Sequence, residues 1–146
     1  VNFGMPYGGK FIGVGDNENS GRPLVFSNRG EVEMIEGLAE AYNAMDVESF
    51  KEYFAEEVEF KSYDGKTYNY KKSDLTQAFK PYKSIDWKLL SIVPLKIYNT
   101  DAASGAMVLS TETRVFKNGK KWKKELMELI YFDLEGKISG MLQFAR

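Results

Sequence analysis

From Ile85 to Phe144 the apolar residues recur at every second position, and two tight-turn signals, Asn118-Gly119 and Glu135-Gly136, cut that stretch into long runs. Alternation at period two specifies strands. A two-residue turn then forces the runs on either side of it to pair antiparallel. The runs cover about 106–116, 121–134 and 137–144. Ahead of them Trp87, Leu89, Val93, Leu95 and Ile97 are expected on one face of a further strand, with Pro94 marking an edge or a bulge. Such a meander has a sheet face to bury, and the preceding residues must supply the cover.

Those residues read as helices. Asn28-Arg-Gly-Glu31 has the spacing of a capping box. Val32, Ile35, Leu38, Ala39 and Tyr42 follow at helical spacing, with Glu33, Glu36 and Glu40 on the other side. Asp46 is placed to cap a second short helix, which is expected to carry Phe50 and Phe54 inward and to end near Glu56. Met45 and Phe50 have the spacing of a hydrophobic staple. A strand over 58–63, a turn at Asp64-Gly65 and a third helix from Ser73 through Tyr82, disturbed by Pro81, complete the segment. Helices first and a long antiparallel meander after them predict an α+β domain over 28–146, with helices packed on the concave face of a curved sheet.

Residues 1–27 differ. Glycines and Pro6 and Pro23 dominate and periodicity is lost, so an irregular arm is expected, with 28–146 folding without it. Within the arm, Asp16-Asn-Glu-Asn-Ser-Gly21 begins like a calcium loop, but Ser27 stands where the bidentate acid belongs, so a polar turn is expected. Gly13-Val-Gly15 has neither the strand before it nor the helix after it that a nucleotide-binding turn needs. Val1 stands where an initiator methionine would, so a segment upstream is expected to have been removed, which fits either a cytoplasmic or an exported protein.

Composition removes whole classes of chemistry. Among the 146 residues there is no cysteine and no histidine, so thiol nucleophiles, disulfides and imidazole acid–base chemistry are excluded. The net charge of −1 gives no reason to expect a nucleic-acid partner, and no run is long enough for a membrane span. No metal site and no cofactor are expected. Acid–base work would fall to carboxylates, Tyr, Lys or water, which directs attention to Glu128, a carboxylate within Met127-Glu-Leu-Ile-Tyr-Phe132.

Two stretches carry a family resemblance: Ala41-Tyr-Asn-Ala-Met-Asp-Val-Glu-Ser-Phe-Lys-Glu-Tyr-Phe-Ala-Glu-Glu-Val-Glu-Phe60 and Phe132-Asp-Leu-Glu-Gly-Lys-Ile138. The first is similar to the helix, aspartate turn, short helix, acidic pair and strand of the nuclear transport factor 2-like (SnoaL-like) superfamily, the second to its final hairpin. The resemblance implies the cone-shaped fold shared by ketosteroid isomerase, polyketide cyclases and scytalone dehydratase. It also implies that Glu128 occupies the place of the protonated acid that hydrogen-bonds the steroid oxyanion in the isomerase, and Met141 that of a pocket-lining methionine. The isomerase's general base would fall at Ser62 and its oxyanion tyrosine at Leu38, so its proton shuttle does not carry over.

Taking both turns as two-residue loops, Lys117 faces Lys120, Val115 faces Trp122, Thr111 faces Leu126 and Leu109 faces Glu128, while Glu128 also faces Gln143 and Ile130 faces Met141. One face then holds Met107, Leu109, Thr111, Trp122, Leu126, Glu128, Ile130, Phe132, Met141 and Gln143. The other holds Val108, Met127, Leu129, Tyr131, Leu142 and Phe144, an apolar patch that predicts a homodimer. Glu112, Arg114, Lys123 and Glu125 are expected as a solvated charge quartet, and Lys117–Lys124 as a solvated hairpin tip. The site expected inside the cone comprises Leu38, Tyr42, Ser62, Thr111, Trp122, Glu128, Ile130, Met141 and Gln143, around a small, largely apolar ligand, with Glu128 as the catalytic candidate for a lyase or isomerase. The competing expectation is an association domain whose pocket is filled by side chains.

Overall fold

Three segments, Ser62-Tyr-Asp-Gly-Lys66, Phe116-Lys-Asn-Gly-Lys120 and Asp133-Leu-Glu-Gly-Lys137, fold into one and the same turn. In each, the first residue's N–H donates to the fifth residue's carbonyl at 2.8 Å, and the glycine N–H donates back to the first carbonyl at 2.9–3.1 Å. The glycines have φ of 82°, 85° and 76°, a left-handed conformation that strains any residue with a Cβ. Asp64, Asn118 and Asp133 brace the turns by accepting from the N–H groups of Lys66, Lys120 and Lys137. All three are therefore three-residue loops closed by a left-handed glycine, not two-residue turns.

The computed structural model describes residues 24–27, 29–97 and 104–146. These form β1 (Leu24–Phe26), α1 (Arg29–Ala44), α2 (Val47–Lys51), β2 (Phe54–Lys61), β3 (Thr67–Lys71), a 3-10 helix (Lys72–Gln77), β4 (Tyr82–Ile97), β5 (Ser104–Phe116), β6 (Lys121–Phe132) and β7 (Ile138–Ala145). The strands make one seven-stranded sheet in the order β1-β4-β5-β6-β7-β2-β3. The β2–β7 pair is parallel and the other pairs are antiparallel. The result is a mixed α+β fold in which the curved sheet and α1 enclose the core.

The extra turn residue has a large effect on β5. Val115 pairs with Lys121, Thr111 with Glu125 and Val108 with Glu128, one residue away from the expected register. Because side chains alternate, that slip exchanges the two faces of β5. Leu109 faces Met127 and Thr111 faces Glu125 on the outer side, whereas Val108 is fully buried beside Glu128. The β6–β7 hairpin has the same longer loop, but a bulge between Tyr131 and Phe132 absorbs the added residue. Glu128 therefore does face Gln143, and Ile130 does face Met141. A further bulge between Leu89 and Ser91 turns β4 over, so Ile92, rather than Val93, continues the inner row of Trp87 and Leu89 opposite Val108.

The helices depart from expectation at their ends. Asp46 caps α2 by accepting from the Ser49 N–H at 3.2 Å, but α2 stops at Lys51 and Phe54 opens β2 instead of extending the helix. The helix expected from Ser73 through Tyr82 is a 3-10 helix ending at Gln77, with Asp74 accepting from the Lys71 N–H, and Tyr82 already belongs to β4. Lys80 N–H still closes a turn on the Gln77 carbonyl at 3.2 Å, but Pro81 has no N–H to donate to the Ala78 carbonyl, so the turns do not continue as a regular helix. At the start of α1, Ser27 Oγ donates to Glu31 at 2.7 Å. Asn28, the Asp16–Gly21 loop and Gly13-Val-Gly15 lie outside the described residues. The described end of the arm is ordered as β1, which pairs with Leu95–Ile97 of β4.

The core gathers Ile35 and Leu38 of α1, Phe50, Phe54, Trp87, Val108, Ile130 and Ile138. One side chain fastens α1 to the sheet. Asn43 accepts from the Trp87 N–H at 2.7 Å and donates to the Trp87 carbonyl at 2.9 Å, closing backbone groups that no strand among the described residues reaches. Replacing it leaves two peptide groups without partners beside the buried Trp87. Asn43→Ala is expected to lower stability by about 2 kcal/mol, measured as a fall in the urea midpoint with an unchanged slope.

Candidate functional site

The inner face of β5 presents Val108, Ser110, Glu112 and Arg114, the set opposite to the one expected. Glu112 is only 2% exposed. A carboxylate so buried must be paired and hydrogen-bonded, and Glu112 is. Arg114 donates to both its oxygens, from Nε at 2.6 Å and Nη2 at 3.0 Å, and the Tyr42 hydroxyl of α1 donates to Oε1 at 2.7 Å. The guanidinium lies 4.4 Å from the Trp122 ring and 5.6 Å from the Tyr82 ring, and Nη1 donates to Tyr82 at 3.4 Å. Trp122 is steadied in turn by donating to the Tyr63 hydroxyl at 3.2 Å. Burial above all, then the Glu112 charge, pushes the Tyr42 phenol above its ordinary value, so it stays a donor. Nearby, Trp87 donates from Nε1 to Ser110 at 2.8 Å.

Glu128 stands apart from this pair. Gln143 donates to its Oε1 at 2.9 Å, and its Oε2 is buried with no hydrogen-bond partner among the described residues. Burial pushes the carboxyl up from 4.5 to about 7. The Gln143 hydrogen bond opposes that rise, the Glu112 charge adds to it and the Arg114 charge again opposes it. Within one small region, then, one buried acid is gripped by an arginine through both oxygens and the other titrates near neutrality.

Both acids line a cavity of about 380 Å³ between α1, α2, the 3-10 helix and the sheet. Its walls are aromatic and aliphatic, with Leu38, Phe50, Phe54, Phe60, Tyr70 and Trp87 prominent. Of the residues expected at the site, Leu38, Tyr42, Glu128, Met141 and Gln143 line it. Ile130 is fully buried in the core behind the wall, and Trp122 backs Arg114 without lining the cavity. Ser62 belongs to the turn that closes β2 on β3, and Thr111 lies on the outer face. The expected charge quartet divides in the same way, with Glu112 and Arg114 inside and Lys123 and Glu125 outside. Sequence reasoning missed the Glu112–Arg114 pair. Two signals point to it: opposite charges two residues apart on a strand share a face, and the x-x-x-Gly-Lys spacing repeats at all three turns. A shallower hollow of about 410 Å³ lies on the outer face, among Leu109, Met127 and Phe144. Among the described residues no acidic group is arranged to hold a metal ion, and no helix is long and apolar enough to cross a membrane.

The same arrangement of sheet and helices recurs in solved structures. A SnoaL-like protein of unknown function from Burkholderia thailandensis superimposes with a TM-score of 0.60 at 10% identity, over 83% of this chain and 98% of that one. A nuclear transport factor 2-like protein of unknown function from Exiguobacterium follows at 0.58 and 12%, over 77% and 98%. The fold is the SnoaL-like, nuclear transport factor 2-like fold. An uncharacterized protein with a cystatin-like fold from Caulobacter vibrioides superimposes with a TM-score of 0.60 at 18% identity, over 79% of this chain and 86% of that one. No family model and no curated protein matches the chain by sequence.

The site makes stability depend on pH through Glu128. Its carboxyl holds a proton more tightly in the folded state than in the unfolded chain, so its stabilising contribution is full below pH 4.5 and is lost as pH rises through about 7. The loss is on the order of 3 kcal/mol. Glu128→Gln is expected to remove this fall and to be more stable than the wild type above neutrality. Urea midpoints at about pH 5 and about pH 8 check it, the wild type falling relative to the variant.

Proposed function

We propose that the domain binds a small, largely apolar molecule inside the cone and that Glu128 recognises its polar group. The observation that carries this is Glu128, whose side chain lines a cavity of about 380 Å³ and whose Oε2 atom is buried without a partner among the described residues. A buried polar atom left unpaired costs about 1–3 kcal/mol, and a ligand that hydrogen-bonds it recovers that cost. The aromatic walls supply apolar contact, and the polar groups are few and convergent, as in sites for small organic molecules. An open cavity also favours this reading over a cone filled by side chains. For lyase or isomerase chemistry Glu128 is the proton carrier the site offers, because an acid titrating near neutrality can both give and take a proton. Ser62 and Leu38 supply neither the base nor the tyrosine of the ketosteroid isomerase arrangement, so binding is the better-supported activity.

A plug tests the pocket. Met141 lines the cavity without being fully buried. Met141→Trp is expected to fold and to lose the fragments that bind the wild type in ligand-observed NMR. Fragments retained equally by both proteins would rule out the cone as the binding site.

A second observation favours pairing of two copies. Leu109 is 39% exposed, Tyr131 46% and Phe144 48%, all on the outer sheet face beside Met127, Leu129 and Leu142. We infer a homodimer that joins these faces about a twofold axis, so that the patch meets itself. Sedimentation of the full chain at micromolar concentration is expected to give a dimer, and Phe144→Glu a monomer that is still folded.

A further inference from the structure

The charges around the cavity narrow the class of ligand. Four lining side chains carry formal charge: Asp74, Glu112 and Glu128 against Arg114. Arg114 is already neutralised, because Nε and Nη2 donate to the two Glu112 oxygens, Nη1 donates to Tyr82 and its faces lie against Trp122 and Tyr82. The Glu112–Arg114 pair cancels, which leaves Glu128 and Asp74. Asp74 is exposed and accepts from the Lys71 N–H at 2.9 Å, so it is held in place beside the cavity. The other titratable groups facing the cavity are phenols: Tyr42 on α1, Tyr70 on β3 and Tyr82 on β4. With Glu128 ionised the lining is net negative and, among the described residues, offers no unpaired cation.

The walls point the same way. An aromatic ring carries negative potential on its face, and a cation over that face gains about 0.5–2 kcal/mol, more as water is excluded. Phe50, Phe54, Phe60, Tyr70 and Trp87 surround the cavity. The unpartnered Oε2 of Glu128 needs a donor when ionised, and a charge-assisted N–H is the strongest donor available to a carboxylate. An anionic ligand would meet a second negative charge and no free guanidinium. A neutral carbonyl could use a protonated Glu128 but would gain nothing from the remaining charge.

We propose that the ligand is a protonated organic amine on an apolar body, its N–H donating to Glu128 Oε2 while the rings enclose the rest. The proposal rests on the binding function above and adds the ligand's charge. Such a ligand draws the proton off Glu128, since an adjacent opposite charge favours the ionised carboxylate. Amine affinity therefore rises with pH through the Glu128 titration.

Calorimetric titration of the full chain with cyclohexylmethylamine and with cyclohexylmethanol tests this, because the two differ in charge and hardly in shape. The amine is expected to bind at least about tenfold more tightly than the alcohol at about pH 8, and the preference is expected to shrink as pH falls below about 7. Glu128→Gln is expected to abolish the preference. Should that variant fail to fold, the pH profile of the wild type carries the test. An alcohol bound as tightly as the amine, independent of pH, would overturn the amine assignment and leave the pocket standing. Binding of neither compound, together with fragments that ignore Met141→Trp, would overturn the amine and the pocket together.

Discussion

Which side of β5 looks into the cone decides nearly everything about the interior, and three residues settle it. Lys117, Asn118 and Gly119 form the loop between β5 and β6, and the left-handed glycine makes that length possible. Because the side-chain period of a strand is two, the loop length sets parity as well as spacing. With this parity Glu112 and Arg114 meet Tyr42 inside, and Val108 closes against Glu128. The hydrogen bonds of the site are consequences of that register.

The interior that results is expensive for a domain of this size. A buried ion pair seldom gains more than its desolvation costs, and a titratable carboxyl with one unpaired oxygen stabilises still less. A fold selected for stability alone would place hydrophobic residues at Glu112, Arg114 and Glu128. Local violations of packing logic concentrate where a protein does something other than fold. The two acids also divide the labour. Glu112 holds Arg114 and Tyr42 and is saturated, whereas Glu128 keeps an oxygen in reserve.

Much of the fold was legible in the sequence because it rests on local signals. Period-two alternation marks the meander, Asp46 marks the start of α2, and the segments around Ala41–Phe60 and Phe132–Ile138 carry the resemblance that pointed to this fold. The pairing of Glu128 with Gln143 followed from turn counting only because the bulge at Tyr131–Phe132 offsets the longer loop. No such bulge lies in the β5–β6 pair, so the same count there assigned Thr111 to the cavity and Arg114 to solvent. Bulges and loop lengths depend on how whole strands settle against each other, which a window of residues does not contain. The helix that stops at Lys51 failed for a related reason: Phe54 suits a helix face and a strand face equally, and the parallel pairing with β7 decides between them.

The bond between Asn43 and Trp87 has a meaning for solubility as well as for docking α1. β4 is paired along its length with β5, but on its other side β1 covers only Leu95–Ile97 among the described residues. The remainder has no strand beside it among the described residues, and an unpaired edge is the kind of surface on which another chain can grow as an added strand. Asn43 occupies both peptide groups of Trp87 in the middle of that edge, the bulge at Leu90 breaks its line, and exposed Lys83 and Lys88 place charge along it. An incoming strand would find no straight row of free donors and acceptors. Addition of a further strand along this stretch of β4 is thereby disfavoured.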